Sequence, residues 1–262
     1  MLVRTWNLFH GNSAPPSRRN RLAQMLELAT ADDPDVLCLQ ELPAWALGSF
    51  TSGRVAAPPR LGPVPLSARA GRALTSLHPG VLRSAFSGQG NALDVSPRLT
   101  VLSSRSLALN PRRFRAMKAR ELGLDPLSRL HWAKERRVAQ AVRLRSGDGR
   151  HVVVCNVHCT SSPDKRLPDA ELLRAAWFVS STAEPDDVVV LAGDFNVTTH
   201  ESPVLRSLAT SEWGFTAAGP GIDHVLVRGA ESTPERAWPE ADRRTHRGAV
   251  LSDHAPVEVT IS

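Results

Sequence analysis

The stretch "DDVVVLAGDFN", residues 186–196, decides how the fold of this chain is interpreted. Two aspartates are followed by a run of apolar residues, which ends in a glycine, an aspartate and, two positions later, an asparagine. A short apolar run bounded by polar residues is typical of a strand buried in a sheet. The pattern therefore predicts a buried strand that carries Asp194 and Asn196 at its end.

The same arrangement, a strand with polar residues at its end, occurs elsewhere in the chain. The stretch "LVRTWNL" places Asn7 at the end of an alternating strand, and "DVLCLQE" ends at Glu41. A third stretch, "RHVVVCNVH", ends with Asn156 and His158. Further strands are expected in "LTVLSSRSLAL", "RVAQAVRLR", "GIDHVLVRG" and "HAPVEVTIS".

Helical patterns alternate with these strands. One helix is expected to begin after Ser17 as N-cap and to stop before Pro34, and another covers the amphipathic residues 169–182. We also expect a helix at residues 67–78 and an irregular connection at residues 51–67, which are rich in proline and glycine. Alternating strands and helices in both halves predict an α/β fold with sheets covered by helices.

The polar residues at the strand ends form a chemically consistent set. Each of them alone has a structural explanation, since an aspartate at a strand end caps turns and a histidine can be satisfied in a core. The exits of adjacent strands converge on one edge of a sheet, however, and α/β proteins build their sites there. Oxygen ligands dominate the set, and they suit Mg²⁺ or Mn²⁺, while the histidines can supply proton transfer or positive charge. The set is Asn7, Glu41, Asn156, His158, Asp194, Asn196, Asp223, Asp253 and His254.

Composition limits the class of protein. Of the 262 residues, 42% are hydrophobic and 22% charged, which excludes a disordered or fibrous chain. We expect one domain over residues 1–262 that acts as a monomer. The apolar runs are far shorter than the roughly 20 residues of a membrane helix, so no membrane span is expected. The N-terminal residues lack the features of a signal peptide, which favours a cytoplasmic location.

The three cysteines are expected to be buried thiols. Cys38, Cys155 and Cys159 lie in or beside apolar strand-like runs, and their odd number argues against a disulfide framework. A zinc site formed by Cys155 and Cys159 around His158 would lack a convincing fourth ligand.

Residues 105–145, here called the basic segment, concentrate positive charge. They contain twelve basic and three acidic residues, a net charge of +9 in a chain whose net charge is +6. Such a concentration is typical of a surface that binds a polyanion through its phosphates. The alternative is an arginine-rich loop that is simply solvated.

Six blocks of sequence, taken together, resemble one known family. The blocks "TWN", "LCLQE", "NVH", "GDFN", "IDHVLV" and "SDHAPV", in this order and over nearly the whole chain, are similar to the motifs of the endonuclease/exonuclease/phosphatase superfamily, whose fold is DNase I-like. The resemblance implies a four-layered α/β sandwich of two mostly antiparallel sheets, packed face to face and flanked by helices. It also implies Mg²⁺-dependent hydrolysis of a phosphoester.

The resemblance implies a role for each residue of the matching motifs. Glu41 would be the principal metal ligand, assisted by Asn7 and Asp253. Asp194 would position or deprotonate the attacking water, and Asn196 would orient that water and touch the phosphate. The activating residue stays open, because mechanisms in the family assign this step either to the aspartate or to a histidine.

The histidines would act on the phosphate and on the leaving group. His254 would stabilise charge on the phosphoryl oxygens, with Asp223 orienting its ring, and His158 would assist the leaving group as an acid. Such an arrangement suits phosphoryl transfer, which requires an in-line nucleophile, neutralised oxygens and help for the departing oxygen.

Three more residues are candidate substrate contacts. Asn91 lies in "GNA", which resembles the middle block of the family, with a tight turn as the alternative. Arg137 lies where the family often has an arginine before a strand, with a surface salt bridge as the alternative. Asn156 of "NVH" completes this group.

Two departures from the family pattern narrow the function. The chain has no tyrosine, although the abasic-site endonucleases of the superfamily use one in the active site, and "NVHCTSS" replaces the commoner "NTHL". The basic segment favours a Mg²⁺-dependent phosphodiesterase acting on nucleic acid. The alternatives are the same chemistry on a small sugar, inositol or lipid phosphate ester, and a nucleic-acid-binding protein that has lost catalysis.

Overall fold

The computed structural model describes residues 1–14, 20–43, 46, 54–57, 89–134, 136–245 and 248–262. The strands are β1 (Leu2–Asn7), β2 (Val36–Pro43), β3 (Arg54–Ala57), β4 (Gln89–Val95), β5 (Thr100–Ala108), β6 (Val138–Arg145), β7 (His151–His158), β8 (Val188–Asp194), β9 (Asp223–Arg228), β10 (Arg236–Ala237) and β11 (Val257–Thr260). The helices are α1 (Leu22–Ala29), α2 (Arg112–Glu121), α3 (Pro126–Ala133), α4 (Arg166–Thr182) and α5 (Pro203–Leu208), with 3₁₀ turns at Phe9–Gly11 and Glu240–Arg243.

The strands form two sheets. The described strands order as β10-β11-β1-β2-β4-β3 in the first sheet and β5-β6-β7-β8-β9 in the second. Each sheet contains one parallel pair, β1 with β2 and β7 with β8, and the other pairs are antiparallel. A helix connects each parallel pair, α1 in the first and α4 in the second, because parallel neighbours need a crossover connection. Within each pair, the two strands therefore end at the same edge of their sheet.

Alternation along β7 shows how the layers are held together. Val152 and Val154 face the first sheet and pack in a cluster with Val3 and Cys38. The other set of β7 side chains, which includes Val153, packs against the helices of the outer layer. The strand is thus apolar on both faces because both faces are buried.

Helices cover the outer face of each sheet. Met25 of α1 packs with Trp6 and Leu39 of the first sheet. On the other side, Leu172 and Val179 of α4 pack against the second sheet. The order helix, sheet, sheet, helix confirms the predicted four-layered α/β sandwich.

Several local predictions need correction. Helix α1 begins at Leu22 with Arg21 at the N-cap position, later than expected. The expected cap, Ser17, lies outside the described residues. The connection at residues 51–67 is not irregular throughout, because residues 54–57 form β3 and pair with β4. The helix expected at residues 67–78 lies outside the described residues.

The basic segment is not a loop. Between β5 and β6 it folds into α2 and α3, which pack together around Trp132 and against Leu167 at the start of α4. Asp125 caps α3, because its carboxylate accepts hydrogen bonds from the backbone N–H groups of Leu127 and Ser128. The segment is therefore not a loop, and most of its positive charge lies on two helices and the strands that flank them. Binding of a polyanion and simple solvation stay alternatives for this surface.

The structure also bears on the thiols and on membrane insertion. Cys38, Cys155 and Cys159 are buried and free, as expected. Across the described parts of the chain, no helix has both the length and the apolar character required to cross a bilayer.

Candidate active site

The end of β8 can reach its position only because residue 193 is glycine. Gly193 has φ +137°, and a Cβ at this residue would overlap the carbonyl oxygen of Val157 on β7. Without a side chain, the two parallel strands come close enough for His158 and Asp194 to lie side by side in register. The glycine of "GDFN" thus sets the distance between two candidate catalytic residues.

Asp194 lies where the two sheets meet. Its Oδ2 accepts a hydrogen bond from Nδ2 of Asn7 at 2.9 Å, and its Oδ1 accepts one from the backbone N–H of Asn196 at 2.9 Å. Burial raises the pKa of this carboxyl to about 7, and repulsion from Asp223 and Glu41 acts in the same direction. Asp194 is therefore an anchored carboxyl group that exchanges a proton near neutral pH.

Asp223 and His254 form a charged pair next to Asp194. His254 Nδ1 lies 2.7 Å from Oδ2 of Asp223. Burial disfavours the charged ring, but attraction to Asp223 and Asp194 outweighs it and raises the pKa of His254 to about 10. The ring is thus an imidazolium whose orientation is fixed by its hydrogen bond to Asp223.

The loop that carries Asp253 and His254 is fastened to the end of β1. Ser252 Oγ donates to the carbonyl oxygen of Asn7 at 2.6 Å and accepts from the backbone N–H of His254 at 3.1 Å. Trp6 Nε1 donates to the carbonyl of His254 at 3.0 Å. Asp253 itself points to solvent with 42% of its side chain exposed. Partial burial, with repulsion from Glu41 added, still raises the pKa of Asp253.

Glu41 lies between two histidines. Its Oε2 is 3.2 Å from Nε2 of His10, and its Oε1 is 3.7 Å from Nε2 of His158. His158 Nε2 is in turn 3.6 Å from Oδ2 of Asp194. His158 therefore bridges the carboxylate contributed by the first sheet and the carboxylate contributed by the second.

His158 is a neutral histidine in this arrangement. Burial lowers its pKa well below the usual range, and the positive charge of Arg137 lowers it further. Arg137 is itself buried, and its Nη1 lies 2.8 Å from Nε2 of His158. The position of Arg137 beside a site histidine rules out the alternative of a surface residue.

Strained backbone concentrates around the site. Among the described residues, seven non-glycine residues have positive φ, and five of them surround the site, namely Phe9, His10, Glu41, Asn196 and Ser252. Each such conformation costs on the order of 1–3 kcal/mol and persists only when the surroundings enforce it. The packing that delivers these side chains thus compensates a local cost in backbone energy.

The two remaining candidate substrate contacts have clear structural positions. Asn91 lies within β4 rather than in a turn, and its Nδ2 donates to the carbonyl of Val138 at 3.0 Å. Asn156 is fully buried between the sheets, where its Oδ1 accepts from Nε2 of Gln40 at 2.7 Å and its Nδ2 donates to the carbonyls of Leu39 and Ala92. The tight-turn alternative for Asn91 is wrong, and we place Asn156 outside the proposed substrate contacts because both ends of its amide are engaged.

The donor set fits a divalent cation. Asp194, Asp223 and His254 present potential ligand atoms within 4.8 Å of one another. His254 is a poor ligand in this set, because an imidazolium has no free lone pair. The oxygen donors fit better: Asp223 Oδ1 is buried without a hydrogen-bond partner among the described residues, and a cation would relieve the repulsion that raises the pKa of Asp194.

Two residues that contact this site are not among the residues predicted from the motifs. His10 contacts Glu41, and the only sequence signal is its place three residues after "TWN". Gln40 holds Asn156 and also donates to Thr5 Oγ1 at 2.9 Å, and its place in "LCLQE" next to Glu41 could have indicated a supporting role.

Solved structures of other proteins share this fold. The chain is similar to D. rerio TDP2 complexed with a single-strand DNA product, with 13% identity, a TM-score of 0.63 and coverage of 100% of this chain and 98% of that one. The human Nocturnin catalytic domain with bound sulfate gives 17% identity, a TM-score of 0.63 and coverage of 100% and 93%. An endonuclease/exonuclease/phosphatase from Bacteroides vulgatus shares 14% identity with a TM-score of 0.64, and the match covers 100% of this chain and 98% of that one. At these identities the likeness establishes the fold.

Sequence comparison identifies the family. No curated protein matches this chain. The profile of the Endonuclease/Exonuclease/phosphatase family, in contrast, matches residues 5–254, a span that begins at Thr5, before Asn7, and ends at His254. The chain therefore belongs to the Endonuclease/Exonuclease/phosphatase family, whose members are hydrolases of phosphoester bonds.

Proposed function

We propose that this protein is a phosphodiesterase that requires Mg²⁺ or Mn²⁺ and hydrolyses phosphodiester bonds in nucleic acid. The observation that carries the proposal is the position of Asp194. It is joined to Asn7 from the first sheet and lies beside His158, Asp223 and His254 from the ends of other elements. A buried carboxyl group surrounded by one neutral and one charged histidine suits general base catalysis next to a polar phosphate site.

The oxygen donors of the first sheet would hold the cation. Glu41 is the principal candidate, and Asn7 and Asp253 would assist it, since Asn7 is bonded to Asp194 and Asp253 is close enough to Glu41 for the two carboxylates to repel each other. When bound, a divalent cation supplies Lewis-acid stabilisation of the phosphoryl oxygens. His10 contacts Glu41 and would fix the orientation of its carboxylate.

Asp194 and Asn196 would act on the attacking water. Asp194 accepts a proton near neutral pH, because its carboxyl is buried and repelled by neighbouring carboxylates. Asn196 donates through Nδ2 to the carbonyl of Cys159 at 3.0 Å, which fixes the plane of its amide. The amide is thereby held ready to orient a water or a phosphate oxygen.

The two histidines would have different roles. His254, held as an imidazolium by Asp223, would stabilise charge on the phosphoryl oxygens and can donate a proton. His158 is neutral beside Arg137, a state that does not favour the role of acid implied by the family resemblance. We assign His158 a hydrogen-bonding role, with Arg137 as the nearby positive charge.

The basic segment supports nucleic acid as the substrate. Arg112, Arg113 and Arg120 of α2 are exposed, whereas Arg143 on β6 is engaged by Asp187 at 2.9 Å. Helix α3 reaches the loop after His158, because His131 Nε2 lies 2.9 Å from the carbonyl oxygen of Ser161. The exposed arginines therefore lie on a helix that packs with α3, and α3 contacts the loop after His158, so these arginines can neutralise phosphates of a bound backbone.

A substrate panel tests this proposal. The purified protein is assayed with Mg²⁺, Mn²⁺ or a chelator on plasmid, single-stranded DNA, RNA, bis(4-nitrophenyl) phosphate and small phosphate monoesters. We expect cation-dependent cleavage of a nucleic acid, and its loss in Asp194→Asn. Turnover of small esters alone would instead favour the small-ester alternative, and nucleic-acid binding without any hydrolysis would identify a binding protein.

A further inference from the structure

A buried carboxylate outside the site joins two parts of the molecule. Glu171 on α4 is fully buried, and its Oε1 accepts hydrogen bonds from Trp132 Nε1 at 2.6 Å and Thr160 Oγ1 at 2.7 Å. Its Oε2 accepts a third from the backbone N–H of Thr160 at 2.6 Å. Burial raises the pKa of Glu171, and these short bonds oppose that effect by favouring the ionised form.

The partners of Glu171 belong to two functional elements. Trp132 lies in α3 of the basic segment, and Thr160 follows His158 by two residues. Cys159 lies between His158 and Thr160. Its N–H donates to the carbonyl of Asp194 at 2.9 Å, and its carbonyl oxygen accepts from Nδ2 of Asn196. The loop fastened by Glu171 on one side therefore holds candidate catalytic residues on the other.

The charge of Glu171 has a second consequence. Arg137 is buried at the base of the basic segment, and its attraction to Glu171 favours the ionised carboxylate. The backbone N–H of Arg137 donates to Oδ1 of Asn110 at 2.9 Å, and Nδ2 of Asn110 donates to the carbonyl of Trp132 at 3.4 Å. Glu171 thus acts on both ends of the connection between α3 and the strand that follows it.

We propose that Glu171 is a positioning residue that holds the basic segment and the loop after His158 in one fixed geometry. The inference rests on the proposed function, since it assigns substrate binding to the basic segment and chemistry to His158, Asp194 and Asn196. It predicts an asymmetry between the two partners. Loss of the Trp132 donor releases only the basic segment and affects long substrates. Loss of the Thr160 hydroxyl shifts the loop after His158 and affects every substrate.

Kinetics on two substrates test the asymmetry. Trp132→Phe removes the donor and keeps the aromatic ring, and we expect it to lower kcat/KM for a labelled single-stranded oligonucleotide about tenfold through KM. Its turnover of bis(4-nitrophenyl) phosphate stays at the wild-type value. Thr160→Val lowers kcat on both substrates about tenfold, and Thr160→Ser, which keeps the hydroxyl, restores it.

A matched variant separates positioning from packing. Phe114 packs edge to face on Trp132 with ring centroids 6.0 Å apart and does not touch Glu171 in the described contacts. Phe114→Leu disturbs the same hydrophobic cluster and should leave the oligonucleotide KM within about twofold of wild type. Equal losses in Trp132→Phe and Phe114→Leu on both substrates would reduce Glu171 to a packing residue and overturn the proposal.

Amide hydrogen exchange tests the coupling even if the protein cleaves no phosphodiester. Glu171→Gln should raise exchange both in peptides that cover α3 and in peptides that cover residues 158–162, because its amide group opposes the backbone N–H of Thr160 and weakens the acceptor of Trp132 Nε1. Trp132→Phe should raise exchange in α3 alone, because it removes only the bond from the basic segment. Phe114→Leu should leave exchange at residues 158–162 at the wild-type value. Wild-type exchange at residues 158–162 in Glu171→Gln would overturn the coupling, whereas absent hydrolysis with the expected exchange pattern would overturn only the proposed function.

Discussion

The two helix-connected parallel pairs of the sandwich, β1-α1-β2 and β7-α4-β8, differ in how they deliver their polar residues. In β7-α4-β8, His158 and Asp194 are direct partners in the strand register and almost fully buried. In β1-α1-β2, the register of β2 with β4 shifts between Leu39 and Leu42, and Glu41 has φ +52° and a partly exposed carboxylate. One pair holds its candidate catalytic residues rigidly, and the other presents a candidate cation ligand at an irregularity of the strand, where its position can adjust.

The largest expected effect concerns Asp194, the buried carboxyl group of the β7-α4-β8 pair. Asp194→Asn should lower turnover at least about 1000-fold, because it removes the candidate base while keeping the volume and, through its amide oxygen, one of the two hydrogen bonds from Asn7 and Asn196. The melting temperature should stay within about 5 °C of wild type, since loss of a buried charge offsets loss of one hydrogen bond. Asp186→Asn, at an exposed position two residues before the same strand, is the control and should stay active. Near wild-type turnover in Asp194→Asn would contradict the role given to Asp194.

The next effect tests whether close approach of β7 and β8 is required. Gly193→Ala places a Cβ against the carbonyl of Val157 at a backbone conformation that L residues rarely adopt. We expect the free energy of unfolding to fall by about 3 kcal/mol or more and turnover to fall about 100-fold. Thermal unfolding and kinetics measure the two losses. As a control, Gly149→Ala has an unusual φ but open space around the Cβ and should leave activity unchanged.

Glu41→Gln tests the β1-α1-β2 pair, whose carboxylate is partly exposed. The variant weakens a candidate cation ligand at a partly exposed position, so turnover should fall about 100-fold while the melting temperature stays within about 2 °C of wild type. Raising the concentration of Mn²⁺ should restore part of the activity, whereas it should restore none in Asp194→Asn. A titration of activity against Mn²⁺ measures this difference, and identical curves for the two variants would contradict the separate roles.

The smallest effect extends the comparison to substrate binding, because the basic segment is inserted in the same sheet as β7 and β8. Replacing Arg112, Arg113 and Arg120 by alanine should weaken DNA binding about tenfold and lower the salt slope by about 0.7 for each lost single-strand contact. Turnover of bis(4-nitrophenyl) phosphate should not change. A variant of equal charge, with Arg150, Arg206 and Arg244 replaced, is the control. An unchanged salt slope in the first variant would favour the small-ester alternative.

The sequence by itself determined the fold class and identified most of the candidate site residues. Apolar runs such as residues 188–192 indicate strands buried on both faces, and strands buried on both faces need helices outside two packed sheets. The motif residues Asn7, Glu41, Asp194 and His254 stand next to these runs, so their place at strand ends follows from local pattern.

Only the tertiary structure decided which groups contact one another and in which protonation state. The neutral His158 beside Arg137, the charged His254 beside Asp223 and the approach of His10 to Glu41 join residues that are distant in the chain. The structural role of Asn156 and the tie through Glu171 depend on burial that no local pattern reports. The physical reason is that strand periodicity is a property of neighbouring residues, whereas electrostatics and hydrogen bonding depend on distances set by packing between the layers.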